Sequence, residues 1–132
     1  MVFEDADAAI LRVEEDVRRA QQRAERYPAL QAGIDEVRAR AVSLRRDIAV
    51  EVDASGVLRN LEISDAALDR GGRQVSREVM ALLSAAHRDA RAKTLALTAE
   101  IMGEDDPIVK AVAADLEAQE TGSHAWRTGG TV

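Results

Sequence analysis

Apolar and polar positions alternate with a period of two from Ile48 through Val50 to Val52, with Ala49, Glu51 and Asp53 between them. That is the pattern of a strand with one buried face. Asp53-Ala54-Ser55-Gly56 follows, a short acid that can hydrogen-bond its own backbone and a glycine free to take positive φ, so a turn is expected. In the return strand Leu61 and Ile63 share a face and Leu58 is out of phase with them, which predicts a bulge near Arg59 and Asn60. Upstream, Val37, Ala39 and Ala41 alternate with Arg38 and Arg40, giving a first strand that Leu44-Arg45-Arg46-Asp47 links to Ile48. The middle of the chain therefore reads as a three-stranded antiparallel meander, which needs a helix to cover its apolar side.

Helical spacing flanks the meander. Phe3, Ala6, Ile10, Val13, Val17, Ala20, Ala24 and Tyr27 advance by alternating steps of three and four, a heptad seam for lengthwise packing against another helix. Pro28 predicts an end or kink after Tyr27, with one more turn over residues 29–32 before Gly33 as a C′ residue. After Ile63, Ser64 or Asp65 caps a short turn over residues 66–69. Gln74 to Met102 reads as a second long helix, with Val75, Val79, Leu82, Leu83, Ala86, Ala90, Leu97 and Ile101 near one face and Gly103 as its stop. Glu104-Asp105-Asp106-Pro107 starts a short C-terminal helix, acids against the positive end of its dipole and proline at N1. Residues 121–132 lack periodicity, and Trp126 is their sole anchor. The expected architecture is α+β: a long N-terminal helix, the meander, a long second helix and a short C-terminal helix. It forms one domain over residues 1–120 with a flexible tail over 121–132, and its oily helix stripes are to be shared in a homodimer.

Composition narrows the function. The 132 residues hold one Phe, one Tyr, one Trp and no cysteine, so the interior is aliphatic, with no thiol nucleophile, thiolate metal site or disulfide. No apolar run approaches the roughly 18 residues of a membrane span, and the acidic Met1-Val-Phe-Glu-Asp start is unlike a signal peptide. The cytoplasm is expected. Two distant histidines and no serine motif assemble into no catalytic set, so neither an enzyme nor a cofactor is expected. His87 lacks a second ligand at i+3 or i+4 and reads as a surface or partly packed imidazole. The acids at 104–106 lack the spacing of a calcium loop and read as a helix cap.

The run Ile48-x-Val50-x-Val52-Asp53-x-x-Gly56-x-Leu58-x-x-Leu61-x-Ile63, with a helix before it and a longer one after it, resembles the YbaB/EbfC family of small bacterial nucleoid-associated proteins. The resemblance spans roughly Leu11 to Met102. It implies a homodimeric protein of the cytoplasm, associated with the nucleoid and bound to double-stranded DNA. Some divergent actinobacterial relatives of the family are associated with type VII secretion. That branch implies an interaction or accessory protein, its protein partner held through the C-terminal helix or tail.

Charge bears on both readings. The net charge is −6, against the basic excess usual for nucleic-acid binders, yet the charge is unevenly placed. Arg70, Arg73, Arg77, Arg88, Arg91 and Lys93 face only Glu78 and Asp89, whereas the acids between Glu100 and Glu120 face only Lys110. On the first helix Arg12, Arg19 and Arg26 share heptad position c, and Arg23 lies one turn from the last two. Charge placement makes Arg19, Arg23, Arg26, Arg70, Arg73 and Arg77 the candidates for phosphate contact. Gly71-Gly72 beside Arg70 and Arg73 could cradle a phosphate, though a plain hinge fits as well. Other bland alternatives are Glu15 pairing with Arg18 and Arg19, Asp16 pairing with Arg19, and Arg38 and Arg40 guarding a strand edge.

Overall fold

The computed structural model describes the backbone of residues 2–129 and the side chains of residues 5–119. Its elements are α1 (Val2–Glu36), β1 (Arg38–Val42), β2 (Ile48–Asp53), β3 (Leu58–Ile63), α2 (Asp65–Leu68), α3 (Gly72–Met102) and α4 (Pro107–Gly129). The expected α+β order is the observed one.

The three strands form an antiparallel sheet in the order β1-β2-β3. Ala39 lies opposite Val52 and Ala41 opposite Val50, while Val50 also faces Leu61 and Ile48 faces Ile63. Cross-strand partners share a face, so these residues form one apolar surface. Glu51 pairs with Asn60 but Val52 pairs with Leu58, which leaves Arg59 as the extra residue of the expected bulge. The turn is held by Asp53, whose Oδ1 accepts from the Ser55 and Val57 amides at 2.9 and 3.0 Å. Gly56 takes φ +83° there.

α3 covers the apolar surface over β1 and β2. Val37, Ala39, Val50, Val52, Ala86 and Ala90 make one buried cluster, and Ile48, Ala67 and Val75 a second at the end where β2 begins. Alanines on both sides let helix and sheet approach closely, and each fully buried valine or isoleucine stabilises by about 1.5–3 kcal/mol. α3 packs chiefly on β1 and β2, and Leu58 and Leu61 of β3 remain exposed on the same face.

α1 runs antiparallel to the C-terminal half of α3. Leu30 is buried, and a Cβ on Gly33 would stand 2.7 Å from Leu97 Cδ2. Gly33 is thus a close-packing site within the helix, not the C′ residue expected. Pro28 likewise neither ends nor interrupts the helix assignment. It removes a single N–H donor at an exposed position, and the docking of Leu30 and Gly33 on α3 outweighs that loss.

Local signals at the other helix ends are as expected. Ser64 Oγ accepts from the Ala67 amide at 3.2 Å, and Gly103, at φ +95°, donates its N–H to Ala99 O. Asp106 Oδ1 accepts from the Ile108 amide at 2.9 Å, with Pro107 opening α4. The helix assignment of α4 continues to Gly129, into the segment expected as a flexible tail. The side chains of Phe3 and Trp126, and residues 130–132 of that tail, lie outside the described residues.

Candidate nucleic-acid interface

The six candidate arginines fall into two groups at opposite ends of α3. Arg19, Arg23 and Arg26 lie along α1 beside the end of α3 at Met102, whereas Arg70, Arg73 and Arg77 lie where α3 begins. The 31 residues of α3 rise about 45 Å at 1.5 Å each. That is the rise of about 13 base pairs, so the two groups cannot grip one phosphate cluster.

Within the first group the environments differ. Arg19 Nη2 meets Glu15 Oε1 at 2.7 Å in an exposed i,i+4 pair, one of the bland helix pairs expected. Arg23 turns inward, its Nε and Nη2 donating to the two oxygens of Asp106 at 2.6 and 2.8 Å. These bonds hold the Asp106 carboxyl below the usual carboxylate range, helped by the Ile108 amide. The same carboxylate thus caps α4 and fastens α1. Arg26 Nη1 donates to Met102 O at 3.3 Å, satisfying a carbonyl at the negative end of α3. The acids at 104–106, expected as a helix cap, therefore include a cap that is also engaged by an arginine. Among the described residues no group of acids and histidines is placed to hold a metal.

In the second group Arg70 is also internal. Its Nη1 and Nη2 donate to Asp47 Oδ2 and Oδ1 at 2.6 and 3.0 Å, and its Nε donates to Glu78 Oε2 at 2.9 Å. Only 15% of its side chain is exposed. The Arg70 guanidinium, seconded by the Ser43 hydroxyl, pulls the Asp47 carboxyl down to about 2 against the opposing effect of burial. Arg73 and Arg77 are exposed on the side of α3 away from Val75, and among the described residues neither has an ion-pair partner. A Cβ at Gly71 or Gly72 would meet nothing within 4 Å, so both glycines border open space.

The turn joining β1 to β2 stands at the same end, tied there by Arg70 through Asp47. Ser43 Oγ donates to Asp47 Oδ1 at 2.8 Å and accepts from the Asp47 and Ile48 amides at 3.1 Å each. The Arg46 amide closes the turn on Ser43 O at 2.9 Å. Leu44, Arg45 and Arg46 are exposed at its tip. In the sequence these residues read as a plain link, and the signal of the exposed tip is an apolar residue beside two arginines between strands.

Elsewhere the cations serve the sheet. Arg59, the bulge residue, donates from Nε to Asp53 Oδ2 at 2.8 Å. Burial alone would raise the Asp53 carboxyl, but the Val57 amide and Arg59 hold it below its usual value. Arg40 crosses β2 to reach Glu62 on β3 at 3.4 Å, on the solvent side as expected. His87, on α3, lies 2.9 Å from Gly56 O and so braces the β2–β3 turn.

The sequence profile of the YbaB/EbfC DNA-binding family matches residues 11–105. The chain belongs to that family. The match covers most of the chain and includes α1 from Leu11, the sheet and α3, so both arginine groups lie inside it. All of α4 lies outside it. Comparison with curated proteins and with solved structures gave no match. No helix among the described residues is long and apolar enough to cross a membrane.

Proposed function

We propose that this chain acts as a non-catalytic, nucleoid-associated homodimer in the cytoplasm that holds duplex DNA through phosphate contacts. The observation that carries the dimer is the uncovered half of α1. Every described side chain from Asp5 to Gln22 is exposed, including Ile10, Val13 and Val17 of the heptad seam at 55, 61 and 49%. Water-facing aliphatic residues repeating at three and four along a helix are the surface another helix buries, and a second copy supplies one of matching period.

Of the six candidate arginines, Arg73 and Arg77 on α3 and Arg19 on α1 are the ones disposed to reach phosphates. Arg23, Arg26 and Arg70 serve the interface indirectly, by fixing the elements that carry the others. Two sets about 45 Å apart in each subunit would touch the duplex at separated points, with little reading of base edges. Selectivity then comes from DNA shape.

Binding of a random-sequence duplex across a salt series tests this. Log affinity is expected to fall linearly with log salt, and Arg73→Ala with Arg77→Ala to reduce the slope by about 0.9 for each phosphate that these side chains neutralise. Absence of binding at low salt refutes the proposal. The net charge of −6 and the acidic residues of α4, outside the family match, favour a second reading, an accessory protein that binds another protein. That reading predicts no binding in this assay.

A further inference from the structure

We propose that the β1–β2 turn is a second DNA contact, distinct from the phosphate grip, in which Leu44 is pressed between base pairs from the minor groove while Arg45 and Arg46 hold the flanking backbone. The proposal rests on the DNA-binding reading and adds a site and a mode of contact to it.

Leu44 is fully exposed, more so than any other large apolar side chain among the described residues. Ile10, Val13 and Val17 belong to a stripe, and Leu58 and Leu61 to a face, that a second copy can cover. Leu44 belongs to neither. It stands at the tip of a two-stranded ribbon with arginines directly after it, and among the described residues the side chain of neither Arg45 nor Arg46 has a hydrogen-bonding or ion-pair partner. The one acid of the tip, Asp47, is turned inward onto Arg70. An isolated apolar group beside free guanidinium groups complements a ligand with a stacked apolar interior between two anionic rails. A duplex approached along its minor groove is that ligand, and leucine is among the side chains that act as wedges there.

Two further features fit this use. Arg46 holds φ +60°, the left-handed region that glycine or asparagine occupies with less strain. A long cation kept at such a position points to a role for its charge. The tip is also rigid, because Ser43 Oγ bridges Asp47 and Ile48 and Arg70 clamps Asp47 to the start of α3. A wedge that is already ordered loses little freedom on insertion.

The test is fluorescence energy transfer between the ends of a short random-sequence duplex at low salt, with full-length wild type, Leu44→Ser and Arg46→Gly. The wild type is expected to bend the duplex by tens of degrees. Leu44→Ser is expected to bind about tenfold more weakly or less and to leave the duplex nearly straight, with its thermal unfolding unchanged because the Leu44 side chain is fully exposed. Arg46→Gly is expected to relieve backbone strain, raising the melting temperature, yet to weaken binding. Wild-type protein that binds straight DNA, or a Leu44→Ser variant that bends as well as wild type, overturns the wedge and leaves the phosphate grip standing. Wild type that binds no DNA overturns both. A Leu44→Ser variant that dissociates into monomers in light scattering while bending DNA normally shows the tip to be a contact between copies, which also overturns the proposal.

Discussion

Arg70 and Asp47 are separated by 23 residues in sequence yet meet through two parallel N–H···O bonds of 2.6 and 3.0 Å. One pair thereby fixes the start of α3 and the tip of the β1–β2 ribbon as a single piece. The planar fork of arginine suits this bidentate geometry and lysine does not.

The pair makes stability depend on pH in acid. The Asp47 carboxyl titrates near 2 in the folded chain against an ordinary value of 3.8. A depressed carboxylate contributes stability that is fully present above the unfolded value and is lost as pH falls through the folded one. Asp47→Asn is therefore expected to melt below wild type at neutral pH, with the gap narrowing between about pH 4 and pH 2. A gap that stays constant in calorimetry over that range would assign the stabilisation to another group.

Gly33 and Leu97 set the spacing of α1 on α3. A valine at position 33 must displace Leu97, because even its Cβ would lie 2.7 Å from Leu97 Cδ2. Gly33→Val is expected to cost about 1–3 kcal/mol as overpacking. Leu97→Ala in the same chain should recover part of that loss, a coupling that a double-mutant cycle by urea unfolding measures.

Asp106 has two engagements, with Arg23 and with the Ile108 amide. Asp106→Ala is expected to speed hydrogen exchange in the first turn of α4 and at the α1–α3 contact together. Faster exchange in α4 alone would mean that the Arg23–Asp106 pair adds nothing to the docking of α1.

The exposed seam of α1 predicts a subunit equilibrium. Val17→Asp places a charge where apolar burial is worth about 1.5–3 kcal/mol per side chain. The dimer dissociation constant is expected to rise at least about tenfold. Sedimentation of wild type as a monomer at all concentrations would remove the interface altogether.

Much of the fold was legible because its signals are local. The unbroken alternation from Ile48 to Val52, the Asp53–Gly56 turn, the bulge at Arg59 and the caps at Ser64, Gly103 and Asp106 each depend on residues a few positions apart. Pro28 reads as an end or kink and Gly33 as a C′ residue, and the helix runs on through both for the opposite reason. Leu30 and Leu97 decide their fate, and Leu97 is remote in sequence. Arginine roles were the least legible, since a guanidinium reads the same whether it faces water or a carboxylate 83 residues away, as Arg23 does. Charge placement located both basic groups but could not tell which members were already spoken for.

The described side chains of the outer half of α1 have no shelter within their own subunit, and most of a helix's stability in a protein comes from packing of its apolar face. In the homodimer proposed above, the order of that half is expected to follow how crowded the chains are, while the sheet beneath keeps its own. On dilution, trypsin is expected to clip first after Arg12, Arg18 and Arg19, trimming a sparse population to a stub that no longer assembles.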